Sequence, residues 1–465
     1  MIQKNMHFHF VGIGGIGMSS LAAIIRQLGH RVSGCDADCS QKSIQNLVSL
    51  GCTIFEGNNT PACNDSSIDT LVYSTAIQKN NPELAAARKR SIPVIHRAAL
   101  LAELTQKKTT IAVAGSHGKT TTTALIAHIL LKTEQDPTVI VGGIMHNLNS
   151  NAHYGKSNLL VAEADESDRS FTQLFPSIAV ITNIDLEHLD TYRDKADLKE
   201  TFQAFLAKLP WYGKAFVCID TPLTQEFVTE LPENLHQKVV TYGLSTDAAV
   251  VLSNPVLEKQ QSSGTISINK TAFQLTVPLA GIHNLLNATA AFAVAQELGI
   301  SAHKINEALE SFMGIDQRFT YRGTFLGAEV FDDYGHHPTE IAHVLEVAKK
   351  RSKGKVVVVF QPHRFTRTEK LWDDFVTVFS TPTIAQLVLT DIHPASETPI
   401  EGITGKKLAL AIASKRKEGT TTFSELEPDY EPLVTKLKAI VQENDLLLFL
   451  GAGKINRLAE KLCKK

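Results

Sequence analysis

One stretch constrains the fold more than any other: VAGSHGKTTTTALIAHIL, residues 113–130. A β-branched run enters a glycine-bearing loop, and a long apolar-patterned segment leaves it. That order reads as strand, tight turn and helix, with the helix packed back on a mainly parallel sheet. At such a turn the first N–H groups of the helix converge and favour an anion. Gly118 lets the backbone approach a phosphate closely. Lys119 brings a positive charge to the outer phosphates, and the Thr120 hydroxyl suits Mg²⁺. The usual phosphate loop has a glycine where this chain has Val113, so the pattern alone leaves open a chance GKT in an ordinary turn. The four threonines 120–123 are poor helix formers, a local cost that points to a use for the helix start.

The remainder extends the same α/β reading. A chain of 465 residues has room for about three domains. HFHFVGI, HRVSGCD and IDTLVYSTAI read as strands, with helices from Ile16 and from Pro82, which suits a first helical turn. This is the pattern of a Rossmann-like parallel sheet over residues 1–106, closed by the polar break TQKKTT. The second unit, 107–315, is a P-loop ATPase-type α/β domain. Its period-two segment SGTISINKTAFQLTVPLAG predicts antiparallel strands, followed by helices over 284–298 and 302–312. The third, 316–465, carries KVVVVFQP, QLVLTDI and DLLLFLGAGK between helical patterns, a further Rossmann-like α/β layer.

A net charge of −2 gives no reason to expect nucleic acid or an anionic membrane as partner. The start MIQKNMHFHFVGIGG lacks a secretory pattern, and no run of about 18 apolar residues predicts a membrane helix. Six cysteines without a CxxC pair read as reduced thiols in a cytoplasmic protein.

Several clusters are suited to phosphate chemistry. Two strand-like runs end in acids: Glu163, Asp165, Glu166 and Asp168 in one, Asp185, Glu187, His188 and Asp190 in the other. Mg²⁺ takes few protein oxygens beside phosphate and water, so one or two would serve; the alternative is a solvated acidic loop. In the first unit, residues 12–17 fit GxGxxG, and Asp36 ends the next strand where a ribose-binding acid belongs. NAD(P) and a UDP-sugar both satisfy that loop.

Taken together, GIGGIGMSSLA, AGSHGKTTTT, EADESD, NID-EHLDTY, GIHNLLNATAA, FDDYGHHPTEI and FQPHRFTRT resemble the Mur ligase family over nearly the whole chain. That family's loop uses the short form G-[ST]-x-G-K-T, so Val113 is no defect. The resemblance implies a ligase that joins L-alanine to UDP-N-acetylmuramate at the expense of ATP, through an acyl phosphate, in peptidoglycan precursor synthesis. The cofactor implied is Mg²⁺, with Mn²⁺ as the alternative; monomer and homodimer stay open.

It implies ATP contacts from Gly115, Ser116, His117, Gly118, Lys119, Thr120, Thr121, His283, Asn284, Asn287, Asp333 and Tyr334. Metal would be held by Thr120, Glu163 and His188, although imidazole is an unusual ligand for so hard a cation. Asn284 has a second reading as a helix N-cap. Arg318 would reach the γ-phosphate and His336 would face the substrates; with Lys119, Glu163 and His188 they form the catalytic set. Gly14, Gly15, Ile16, Gly17, Asp36, Ser74, Thr75, Ala76 and Arg97 would hold the UDP-sugar. His363, Arg364 and Arg367 would take the alanine carboxylate, for which a guanidinium fork is suited; the alternative pairs the arginines with Asp373 or Asp374. Arg169 stands where a small residue is usual, pointing to solvent or altering substrate grip. Ile282 replaces a common arginine, Gln317 breaks a common arginine pair, and Lys199 lies where sibling ligases carry a carbamylated lysine. Three other readings remain: a ligase attaching a recycled tripeptide to the same sugar nucleotide, an NAD(P)-dependent dehydrogenase, and a non-catalytic sugar-nucleotide-binding module, against which the set of acids and basic residues argues.

Overall fold

The computed structural model describes residues 5–57, 65–186, 191–395, 397–426 and 430–463. Among these the chain is α/β with three sheets. The first sheet contains β1 His7–Val11, β2 Arg31–Asp36, β3 Thr53–Glu56, β4 Thr70–Tyr73 and β5 Val94–His96. Its order is β3-β2-β1-β4-β5 and every pairing is parallel. The strand order reverses between β1 and β4, which opens a crevice at their carboxyl ends. Glycines 12–17 follow β1, and Ser74, Thr75 and Ala76 follow β4, so the fold brings these two expected UDP-sugar segments to one edge. Helices Ile16–Gln27 and Pro82–Lys89 stand where the sequence places them, the second capped by the Asn81 side chain.

The second sheet has ten strands: β6 Thr109–Ala114, β7 Thr138–Met145, β8 Ser150–His153, β9 Leu159–Glu163, β10 Ile178–Ile181, β11 Lys214–Cys218, β12 Val239–Gly243, β13 Val250–Leu257, β14 Ser262–Ile268 and β15 Thr271–Val277. β6 lies between β10 and β9, parallel to both, so the phosphate-type loop emerges between the two acid-bearing turns. β14 and β15 form the expected antiparallel pair. The two following helices are Ile282–Glu297 and Ala302–Glu310.

Compactness divides the chain once, after Gly314, apart from the short segment Leu257–Gln261, which groups with the later residues. The first two sheets share one unit and one hydrophobic cluster, which runs from Phe10, Ile13 and Leu21 through Leu101 to Ala112, Phe171 and Phe202.

The other unit carries β16 Thr320–Phe325, β17 Ala328–Asp333, β18 Val356–Phe360, β19 Gln386–Leu389, β20 Thr420–Phe423 and β21 Leu446–Leu450, ordered β16-β17-β21-β18-β19-β20. VVVVF and LLLFL are continuous apolar runs because both sheet faces are covered. Val356, Val358 and Phe360 pack in one cluster while Val357 and Val359 pack in the other, as the two-residue repeat of a strand requires. The antiparallel β16–β17 hairpin and the edge strand β20 lack such runs, and the sequence reading did not include them.

No described helix is long and apolar enough to cross a membrane. Cys35, Cys39, Cys52, Cys218 and Cys463 are all free thiols.

Candidate functional site

The loop after β6 is braced before any ligand arrives. Ser116 N–H donates to the Asn183 carbonyl (3.2 Å) and His117 N–H to Asn183 Oδ1 (2.9 Å). Asp185 N–H donates to Ser116 Oγ (2.9 Å), and the Asp185 carboxylate lies 3.2 Å from His117 Nε2. The segment after β10 therefore fixes one wall of the loop. Gly118 precedes helix Lys119–Lys132 at φ 81°, the left-handed region. A Cβ there would lie 2.6 Å from Asn287 Oδ1, so the glycine is needed for conformation and for space.

Lys119 folds back into this loop. Its Nζ donates to the carbonyls of Gly115 (2.5 Å) and Ser116 (2.9 Å) and lies 2.9 Å from Glu166 Oε2. Burial opposes its charge, but Glu166, Glu163 and Asp165 outweigh that and hold the ammonium above its ordinary range. Asp165 is half-buried, and although desolvation opposes its charge, Arg97 (2.6 Å) and Lys119 pull its carboxyl down to about 2. Arg97 starts the helix Arg97–Thr105, and its guanidinium lies beside Gly17. It thus links the first sheet's glycine loop to the acidic turn after β9, within the same unit.

Glu163 fits a metal role. Its Oε1 lies 3.2 Å from the Thr120 hydroxyl, and its Oε2 accepts the Gly142 N–H (2.9 Å). Any side chain on Gly142 would collide with this carboxylate, so the backbone forms a cradle for it. Two hard oxygens oriented at the phosphate end of the loop are the donors Mg²⁺ prefers. His188, Glu187 and Asp190 lie outside the described residues.

Several other expected residues also make contacts within the protein. Asp36 Oδ2 accepts the Gly14 N–H (2.8 Å) and Oδ1 the Asp38 N–H (3.0 Å), so this acid shapes the glycine loop. Asn284 is not the N-cap: Gly281 is, and the Asn284 amide donates back to the Ala280 carbonyl (2.8 Å). His283 sits on the same first turn, and Asn287 faces Gly118. Arg169 does not simply point to solvent. It pairs with Asp197, donates to the Thr191 carbonyl (2.7 Å) and covers the Tyr192 ring. Tyr192 donates in turn to the Glu166 carbonyl (2.6 Å), so Arg169 braces the acidic turn. Lys199 is held as an ammonium by Glu226 and Glu230 (2.6 Å each), an arrangement that opposes carbamylation of its amine.

In the other unit the expected residues again follow strand ends. After β17, Asp333 is buried and accepts N–H groups from Phe319 (2.7 Å) and Gly335 (2.6 Å). Burial pushes it up to about 6, against the pull of Arg318. Its carboxylate orders the turn beside Tyr334, which is 37% exposed. Arg318 lies over the Tyr334 ring and 4.0 Å from Glu340. The two neighbouring histidines divide: His337 accepts the Thr339 N–H as helix cap, while the His336 ring lies 5.8 Å from that of His363.

After β18, Arg364 has φ 69°, a strained value for a non-glycine residue. It is held there because Arg364 N–H donates to the His393 carbonyl (2.8 Å) and His393 N–H to the Pro362 carbonyl (2.8 Å). Arg367 Nη1 donates to His363 Nδ1 (3.1 Å), which places the ring proton on Nε2. Burial, then His336 and Arg367, pull His363 down to about 2, so it is neutral. Arg364 lies 4.0 Å from Glu397. His393 and Glu397 carry no motif that the sequence reading used; only the fold brings them here.

Family models match consecutive parts of the chain: "Mur ligase family, catalytic domain" over residues 7–109, "Mur ligase middle domain" over 113–295 and "Mur ligase, glutamate ligase domain" over 317–453. The chain belongs to the Mur ligase family. It is 41% identical to the UDP-N-acetylmuramate–L-alanine ligase of Syntrophus aciditrophicus, covering 100% of this chain and 94% of that one. It is 42% identical to the ligase of the same name from Aquifex aeolicus, covering 100% and 98%. The crystal structure of UDP-N-acetylmuramate–alanine ligase from Thermotoga maritima superposes with a TM-score of 0.82 at 29% identity, covering 98% of each chain. Mur ligases as a family use ATP and require Mg²⁺.

Proposed function

We propose that this Mur ligase joins L-alanine to UDP-N-acetylmuramate, forming UDP-N-acetylmuramoyl-L-alanine, ADP and phosphate for peptidoglycan synthesis. What carries the reading is the Gly118–Lys119–Thr120–Glu163 constellation in a chain aligned end to end with L-alanine ligases. An NAD(P) dehydrogenase has no use for that constellation.

The muramoyl carboxylate attacks the ATP γ-phosphorus, ADP leaves, and an acyl phosphate forms. The alanine amine then attacks the acyl carbon; phosphate leaves, the nitrogen loses a proton, and the amide remains. Two anions must meet in the first step, so charge neutralisation dominates the barrier. Lys119 exchanges Glu166 and its two loop carbonyls for phosphate oxygens. Mg²⁺ held by Thr120 and Glu163, with Mn²⁺ as an alternative, would draw further charge from the triphosphate. His188 as a second metal ligand remains part of the proposal. Asn287 and His283 are assigned to the adenosine side. Residues 14–17 and 74–76 take the sugar nucleotide, and Arg97 positions the acidic turn between that crevice and the loop.

Arg318, Tyr334 and His336 keep the ATP-side and substrate-facing roles that the motifs assign. Arg364 and Arg367 take the alanine carboxylate, with neutral His363 orienting Arg367. We assign these tasks to residues 1–106, 107–315 and 316–465 respectively: sugar nucleotide, ATP, amino acid.

Mass spectrometry of products from UDP-N-acetylmuramate, ATP and a mixture of amino acids and cell-wall tripeptide tests the reading. The alanyl product should dominate; a tripeptide adduct would move the chain to the recycling activity.

A further inference from the structure

The polar break TQKKTT has no part in the reaction, yet it borders a built cavity. A space of about 560 Å³ lies against the amino-terminal ends of β7 and β9, the region of β6's start, and the carboxyl ends of helices Ile16–Gln27 and Arg97–Thr105. Its apolar wall includes Ile24, Leu28, Leu104 and Leu160. Lys107, Lys108 and Lys156 line it too, and among the described residues no Asp or Glu does. A smaller neighbouring cavity, about 320 Å³, shares Asn5 and Gly29 with it and is lined by Arg26 and Arg31, again without a carboxylate.

A further observation points to a ligand. His30, another wall residue, is only 6% exposed, and its Nδ1 has no hydrogen-bond partner. A buried polar atom without a partner is uncommon in a folded protein. Lys108 is half-buried, its ammonium donating to the Ser157 carbonyl (2.8 Å) beside the Tyr154 ring. The nearby acids are partly engaged: Asp136 with His153 (2.9 Å) and the Lys156 N–H (2.9 Å), and Glu103 with Lys107 (3.9 Å). The cavity is of small-molecule size. It also lies well away from the phosphate loop: β6 runs from Thr109 beside the cavity to Ala114 beside Gly115, about 17 Å at strand rise.

We propose that this cavity binds a small amphipathic anion, its apolar body against Leu28, Leu104 and Leu160 and its carboxylate or phosphate head between Lys107 and Lys156. This site is separate from the substrate sites and does not depend on the reaction proposed above. The test is equilibrium binding of decanoate, decyl phosphate and neutral decanol to the full chain, with and without saturating ATP and UDP-N-acetylmuramate. At least one anion should bind one per chain, about tenfold tighter than decanol, because the charged head carries the difference. The tighter anion identifies the head group, and the substrates should not displace it. Lys107 and Lys156 are exposed, so a Lys107→Glu/Lys156→Glu variant should fold, keep its ligase turnover and lose about tenfold or more in anion affinity. A photoreactive decanoate should label residues 24–30, 104–108 or 154–160. Decanol binding as well as both anions, displacement by substrates, undiminished binding in the double variant, or labelling elsewhere would each overturn the proposal.

Discussion

Lys119 in the first unit and Arg367 in the second are both proposed to meet anions, and their surroundings hold them differently. Lys119 is already paired: Glu166 touches it, Glu163 and Asp165 add to the field, and two carbonyls complete its hydrogen bonds. Arg367 donates instead to the neutral ring and the carbonyl of His363. On the proposed reading, a triphosphate would displace internal partners of Lys119, and an amino-acid carboxylate would reach a guanidinium that the His363 ring helps to orient. The first arrangement suits a site whose cation acts on charge that develops during reaction. The second suits recognition of a substrate in its ground state.

The largest expected effect comes from removing the first cation. Lys119→Ala should lower ATP-dependent phosphate release by about 10²–10³-fold, the usual scale for losing one electrostatic contact to a transition state. UDP-sugar binding should stay within a few-fold; loss of both in a folded variant would make the lysine structural. Arg367→Ala should raise KM for alanine by about 10–100-fold, the scale of a hydrogen bond to a charged group, while leaving KM for ATP nearly unchanged. An equal rise in both would erase the contrast between the two cations.

Gly118→Ala sharpens the comparison from the loop side. Its φ of 81° and the nearness of Asn287 should cost about 1–2 kcal/mol in urea denaturation, along with ATP affinity. Unchanged stability would show that the loop relaxes.

A further effect is on pH dependence. Burial holds His128, in the first unit, down to about 4, and His363, in the second, down to about 2, against an ordinary value of 6.5. Below pH 6.5 the unfolded chain takes up protons that these folded rings refuse. Stability is therefore fully present above that pH and falls as acid is added, by up to about 1.4 kcal/mol per pH unit for each ring. His128→Leu should remove about one ring's share of that slope; a curve parallel to the parent would show that His128 titrates normally.

Much of the fold could be read from local pattern. Apolar runs marked the strands buried on both faces, and glycine loops marked the crossings where strand order reverses. The β16–β17 hairpin was not legible, because β16 is largely half-exposed and β17, though mostly buried, ends in two acids rather than an apolar run. At the site, Gly118, Lys119, Thr120 and Glu163 follow one another closely enough around two strand ends to be read as a set. The pairing of Arg97 with Asp165 was not legible, since the partners come from different sheets and meet only through packing. The motifs mark Asp36, Asp333 and Asn284 as ligand residues, and the fold adds that their short side chains also engage nearby backbone groups. Residue type alone cannot separate those two uses.

The central claim is that the sugar-borne carboxylate itself becomes phosphorylated. Carboxylate-¹⁸O-labelled UDP-N-acetylmuramate tests it directly when turned over with ATP, L-alanine and Mg²⁺. The account predicts one ¹⁸O in each phosphate released, carried from the carboxylate through the acyl phosphate. Unlabelled phosphate appearing with the alanyl product would contradict it.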